Sequence, residues 1–195
     1  MCSSDLAEMQ NVLYFTSSSL DSQRSIGLFK LEPPYTHAAP LTSFSTSTVD
    51  IGHLRVLNNK LYFNAKRAFD DDYELWSSDG TFSGTSMVKE ITPPGVIKNV
   101  KPWLLTQIDS TIYFYTDDGI HGTELWASDE HGTRMIKDIN PGKKSGVYTN
   151  DFAVIHNELY FSAVDSLGPE LWKTNGTDTG TQQITNLSNG SNSGL

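Results

Sequence analysis

The chain has one cysteine in 195 residues, Cys2, so no internal disulfide is available to it. No apolar run approaches the ~18 residues that a membrane helix needs. No stretch keeps a helical 3.6-residue apolar period for more than a turn. Basic charge is scarce: 14 Lys and Arg stand against 23 Asp and Glu, a net charge of −9. That deficit argues against nucleic acid and anionic membrane as partners, because both call for a basic face. Also missing are a phosphate loop ahead of a helix and a Gly-x-Ser-x-Gly nucleophile motif. His37, His53, His121, His131 and His156 show no metal-ligand spacing, and no Ser/His/Asp constellation stands out.

What is present is repetition. Leu61-Tyr62-Phe63 is followed by Glu74-Leu75-Trp76, Ile112-Tyr113-Phe114 by Glu124-Leu125-Trp126, and Leu159-Tyr160-Phe161 by Glu170-Leu171-Trp172. A worn copy, Leu13-Tyr14-Phe15 then Gly27-Leu28-Phe29, stands in front. The first anchor steps by 48, 51 and 47 residues. Such a fixed step marks an array of one supersecondary unit.

One unit reads as four short strands. In the last copy these are Phe152–Ile155, Leu159–Val164, Glu170–Lys173 and Thr181–Ile184, with a turn at Asn157-Glu158 and Gly/Asn/Asp/Pro clusters between the rest. Neighbours along a strand point to opposite faces, yet Leu, Tyr and Phe are all bulky, as are Leu and Trp. Both faces therefore call for cover, whereas a sheet with one wet face would alternate cleanly. Four-stranded sheets covered on both faces by their neighbours are the blades of a β-propeller. The predicted fold is all-β, a β-propeller of four blades with four antiparallel strands each, either an arc of a larger propeller or a four-bladed ring. The blades are expected at about 7–48, 49–97, 98–147 and 148–195, as a single array over 7–195.

The first end reads as non-native and the other as cut, so the chain is expected to be a piece of a longer protein. Met1-Cys2-Ser3-Ser4-Asp5-Leu6 matches the translation of a sequencing-adapter end, so residues 1–6 are expected to be non-native. Gly190-Ser191-Asn192-Ser193-Gly194-Leu195 aligns with Gly142–Val147, the start of another unit. An arc would leave a bare sheet face at each end, and self-association is expected from it.

The string Glu74-Leu75-Trp76-Ser77-Ser78-Asp79-Gly80-Thr81, with Gly84-Thr85 behind it, resembles the bacterial ELWxxDGT repeat family. Glu124-Leu125-Trp126-Ala127-Ser128-Asp129 matches in part, and Glu170–Thr177 matches with Asn175-Gly176 in place of Asp-Gly. The resemblance covers residues 50–195 well and 7–49 weakly. It implies a propeller-like array in a large secreted or cell-surface bacterial protein, and no defined activity or catalytic residue.

Glu74, Glu124 and Glu170 recur in every full copy, so hydrogen bonding at a strand start is favoured over acid/base catalysis, which needs an asymmetric pair. Trp76, Trp126 and Trp172 suit packing between sheets better than a sugar platform. Trp103 lies outside the motif and is also read as core. The Asp79-Gly80 and Asn175-Gly176 turns, and Asp129, supply too few oxygens for Ca²⁺. No metal and no cofactor are expected. The loop between second and third strands varies, and it carries Asp70, Asp71 and Asp72, then Asp117, Asp118 and His121, then Asp165. Binding residues concentrate on loops held by rigid scaffolds. The expected function is non-catalytic binding or scaffolding, with a protein or polysaccharide recognised over this acidic rim. A fragment of a propeller enzyme, a glycosidase or polysaccharide lyase, is the alternative. A quinoprotein-like propeller is a third reading, without visible cofactor residues.

Overall fold

A computed structural model describes residues 6–18, 26–41, 51–66, 72–93, 96, 100–147 and 151–186. All regular structure among them is β-strand, in four separate four-stranded antiparallel sheets. Sheet one holds β1 (Leu6–Met9), β2 (Val12–Ser18), β3 (Ile26–Leu31) and β4 (Ala38–Pro40). Sheet two holds β5 (Ile51–Leu57), β6 (Lys60–Lys66), β7 (Tyr73–Ser78) and β8 (Ser86–Lys89). Sheet three holds β9 (Trp103–Ile108), β10 (Thr111–Asp117), β11 (Thr123–Asp129) and β12 (Gly132–Lys137). Sheet four holds β13 (Phe152–Ile155), β14 (Glu158–Val164), β15 (Pro169–Thr174) and β16 (Gln182–Gln183). Each is a simple meander in chain order. The worn first copy folds like the others: Phe29 pairs with Phe15 where Trp76 pairs with Phe63.

The first hairpin of every sheet closes through two residues. Its central positions are Gln10-Asn11, Asn58-Asn59, Asp109-Ser110 and His156-Asn157. Positive φ at Gln10, Asn11, Asn58, Asn59, Asp109, His156 and Asn157 is what such primed turns require, because their twist matches the strands they join. The turn expected at Asn157-Glu158 therefore sits one residue earlier. Glu158 belongs to β14, opposite Ile155.

The chain divides into two compact units, residues 1–102 and 103–195, each with two sheets. In unit one, Tyr14 and Leu28 of sheet one share a core with Leu61, Phe63 and Ala65 of sheet two, and Trp76 packs against it. In unit two, Tyr113 and Leu125 of sheet three share a core with Leu159, Phe161, Ala163 and Trp172 of sheet four. The same motif positions meet in both units. Each fully buried Leu or Phe contributes about 1.5–3 kcal/mol. Trp103, outside the motif, is half-buried, stacks on Tyr115 at 6.4 Å and packs on the unit-two core.

Cover on both faces is the expectation, and the sheets differ in it. β6, β7, β10 and β11 bury residues on both faces. β14 alternates strictly, and β15 exposes Leu171. The motif residues are the same type in all three copies; what differs is the neighbour laid on them.

The motif tyrosine also reaches the next sheet's turn. Gly80 and Gly176 sit at φ +91° and +89°, which side chains rarely adopt. A Cβ on Gly176 would lie 2.7 Å from Tyr113 Oη, and one on Gly80 would collide with the Tyr14 hydroxyl. Gly176→Ala is expected to cost about 1–3 kcal/mol through strain and clash together. Chemical denaturation should show part of that loss recovered in the Tyr113→Phe background. Equal losses in both backgrounds would mean that the tyrosine does not abut this turn.

Candidate functional site

The candidate ligand residues lie in the variable loops between second and third strands. Asp70 and Asp71 fall outside the described residues. Asp72 is buried at the entry to β7, beside Tyr73. The Lys66 and Lys101 ammonium groups stand 4.8 and 4.7 Å from the Tyr73 ring centroid, in cation–π range. In unit two, Asp117 Oδ1 accepts the Gly119 N–H at 2.6 Å. Asp118 Oδ1 accepts the N–H groups of Ile120 and His121, both at 2.9 Å, and Asp118 Oδ2 lies 2.7 Å from His121 Nδ1. Asp165 Oδ1 accepts the N–H groups of Leu167 and Gly168. These carboxylates thus bond their own loops, as Asx turns do. The large apolar side chains that the two loops expose are Ile120 and Leu167, at 50% and 58%.

One connecting segment, through Gly146, holds these two loops at the same edge of unit two. Gly146 N donates to Thr123 O at 3.0 Å, and Gly146 O accepts from Val164 N at 2.7 Å. Burial disfavours the charged form of Asp118. Donation from the His121 backbone, the His121 ring and the Ile120 N–H outweighs it and holds the carboxyl below its ordinary range. The same ion pair raises the His121 pKa, with its hydrogen bond to Asp118 the leading cause.

The repeated glutamates are deeper. Glu74 Oε2 accepts Ile91 N–H at 2.9 Å and Oε1 accepts Thr92 N–H at 3.2 Å. Glu124 accepts Ile139 N–H at 3.3 Å, Asn140 N–H at 3.5 Å and Gly146 N–H at 2.9 Å. Glu170 Oε2 accepts the Thr185 hydroxyl at 2.6 Å. Each clamps the segment that follows the fourth strand to the start of the third. The partners recur in sequence as Ile91-Thr92 and Ile139-Asn140, and Ile184-Thr185 stands at the same place in the last copy, where only the Thr185 hydroxyl reaches the glutamate and the Ile184 N–H goes to Leu171 O. That second repeat is the signal by which the clamp could have been found, and the motif tripeptide alone does not contain it.

Burial raises both Glu74 and Glu124 from the ordinary 4.5 to about 7, against the backbone donors that favour the charged form. In the unfolded chain both titrate near the ordinary value. The native state therefore holds protons that the unfolded state lacks between about pH 4.5 and 7. This contribution to stability is complete below about pH 4.5 and is lost as pH rises through 7, at about 3 kcal/mol per group. Asp118 and Asp129, whose pKa values are lowered, act in the opposite sense, but below their ordinary 3.8. Urea unfolding from pH 5 to 8 is expected to show stability falling with pH, and Glu124→Gln to flatten that fall. Stability that rises over this window would contradict the assignment.

The Asx-Gly-Thr turns are closed hydrogen-bond units. Asp79 Oδ1 accepts both Thr81 N–H and Thr81 Oγ1–H, at 2.8 and 2.7 Å; Thr81 Oγ1 accepts Gly84 N–H, and Thr85 Oγ1 donates to Thr81 O. Asn175, Thr177, Gly180 and Thr181 repeat every one of these bonds. In the shorter middle copy, Asp129 Oδ1 still accepts the N–H two residues on, from His131 at 2.9 Å, and the carboxylate also takes Arg134 in a two-bonded pair at 3.0 and 2.8 Å. An acceptor serves in either case, which is why Asn can replace Asp. Trp76 and Trp126 stack on Phe63 and Phe114 at 6.3 and 6.4 Å, and Trp172 lies in the unit-two core. Among the described residues, no three His, Cys, Asp or Glu side chains cluster as metal ligands would.

The chain matches no protein-family model and no curated protein. Its fold does match solved structures. A prolyl endopeptidase aligns with a TM-score of 0.61 at 10% identity, over 92% of this chain and 27% of that one. Oligopeptidase B from Leishmania major aligns at 0.57 and 11%, over 92% of this chain and 26% of that one. An acylaminoacyl peptidase from Pyrococcus horikoshii aligns at 0.54 and 10%, over 93% of this chain and 27% of that one. This chain spans about a quarter of those proteins, and identity this low speaks to fold alone. The chain is an all-β array of four-stranded meanders similar in fold to the β-propeller part of these peptidases.

Proposed function

We propose that this chain is a non-catalytic binding or scaffolding module of β-propeller type, an ELWxxDGT array from a secreted or cell-surface bacterial protein. One observation carries the reading: the hydrogen-bonded frame repeats from copy to copy, while the loops between second and third strands differ in length and tip residue. A rigid frame that presents unlike loops is how scaffolds build recognition surfaces. The target is a protein or polysaccharide met at the loop rim. The turned-in carboxylates shape that rim, and Ile120 and Leu167 supply its apolar contact. On this reading the four sheets are blades, in an arc of a larger ring or in a small closed one.

A glycan array probed with the labelled protein is expected to show binding to one oligosaccharide class. The Ile120→Ser/Leu167→Ser variant should lose it. Binding that survives this change would move recognition off the rim. A second reading, a propeller segment of a hydrolase, draws on the peptidase neighbours. Turnover of peptidyl substrates by the protein, without glycan binding, would favour it over the first.

A further inference from the structure

Both sheet interfaces within the units have one polarity. Sheet one puts Tyr14 and Leu28 on the Leu61, Phe63 and Ala65 face of sheet two. Sheet three puts Tyr113 and Leu125 on the Leu159, Phe161 and Trp172 face of sheet four. A trailing Tyr/Leu face thus seats on a leading Leu/Phe/aromatic face. Under a partner sheet the trailing leucine vanishes from solvent: Leu28 is 0% exposed and Leu125 1%. The same residue in sheet four, Leu171, is 40% exposed, and Tyr160 beside it is half-buried. Ile184, whose N–H bonds Leu171 O, is also exposed. Sheet one shows the reverse lack. Its leading Leu13, Phe15 and Phe29 are only half-buried, with the two phenyl rings 5.8 Å apart in the cross-strand pairing that Phe63 and Trp76 make.

We propose that the trailing face of sheet four docks the leading face of sheet one from a second copy of this chain, head to tail, as a third instance of the Tyr/Leu-on-Leu/Phe interface. The occupant follows from the two interfaces built within the units: a leading face of this type is what the trailing faces of sheets one and three carry, and sheet one offers one. The charges near both faces already have partners. Lys173 is bonded to Glu158 at 2.9 and 3.0 Å, and Glu8 accepts Asn11 N–H at 2.7 Å, so docking would strand neither group. Tyr160, which would have no Asx-Gly-Thr turn from sheet one to lie against, donates instead to Glu158 Oε2 at 3.3 Å. The interface is heterologous, so each added copy leaves one free face at each end, and growth continues unless the rotation closes a ring.

Sedimentation velocity across a concentration series tests this. The native chain is expected to gain mass with concentration. Leu171→Lys, at an exposed position, should remain monomeric, and so should Phe29→Lys, with Leu31→Lys as a second leading-face variant should the first not fold. Leu171→Lys mixed with a folded leading-face variant should give one-to-one dimers and nothing larger, because only one intact junction remains. A monomer at every concentration overturns the proposal. Association that resists Leu171→Lys overturns it, as does association that the leading-face variants retain, since that would place two trailing faces together.

Discussion

Glu124→Ala is expected to destabilise unit two by about 3–5 kcal/mol. The carboxylate is fully buried and accepts three backbone N–H groups, from Ile139, Asn140 and Gly146. Truncation leaves the Ile139 and Asn140 donors without this acceptor and Gly146 N–H with Thr123 O alone, and each unsatisfied buried group costs about 1–3 kcal/mol. Water entering the vacated space offsets part of the sum. Glu74→Ala removes an acceptor of two donors, Ile91 and Thr92, and should cost less in unit one. The order of effects separates this account from a catalytic one. A reacting carboxylate can be removed with stability kept, whereas a clamp cannot. Guanidinium unfolding of both variants measures it, and a Glu124→Ala protein as stable as the parent would contradict the clamp.

Phe161→Ala should cost a similar amount, about 3–5 kcal/mol, as large-to-small changes in packed aromatic cores do. Phe161 is buried in the core shared by sheets three and four, and in its own sheet it faces Trp172. The adjacent Tyr160→Ala should cost far less, because Tyr160 points to the outer face of β14 and is half-buried. At the matching position of sheet three, Tyr113 is buried against the Gly176 turn, and Tyr113→Ala should be costly again. Two tyrosines at one motif position are thus expected to differ by severalfold in their effect on the denaturation midpoint. Equal effects would mean that the faces of sheets three and four are alike in cover.

That contrast marks how far the sequence is legible. Period-2 aromatic runs, the step near 48 residues and the Asx-Gly turns suffice for strands, meanders and repeat phasing, because each depends on residues close in the chain. Even the worn first copy makes its sheet, with Phe29 in the tryptophan position and the Pro33-Pro34-Tyr35 loop tied back through Tyr35 Oη to Asn11 O at 2.9 Å. Cover was not legible, because Tyr113 and Tyr160 read alike until a neighbouring sheet is placed. The glutamate clamp was half legible: recurrence marks Glu124 as structural, but Gly146 lies 22 residues away and no local pattern joins them. The rim differs for a third reason. Asp117, Asp118 and Asp165 count as negative charge in composition, yet their oxygens bond amides two or three residues on, which brings Ile120 and Leu167 to the loop surface.

The most direct test of successive sheets packed face to face through the motif tyrosine is a nuclear Overhauser measurement in labelled protein. Cross-peaks between Tyr113 ring protons and Gly176 Hα, and between Tyr14 ring protons and Gly80 Hα, are the expected result, because both hydroxyl ends abut those glycines. Tyrosine rings that show no such cross-peaks and exchange magnetisation with water instead would contradict it.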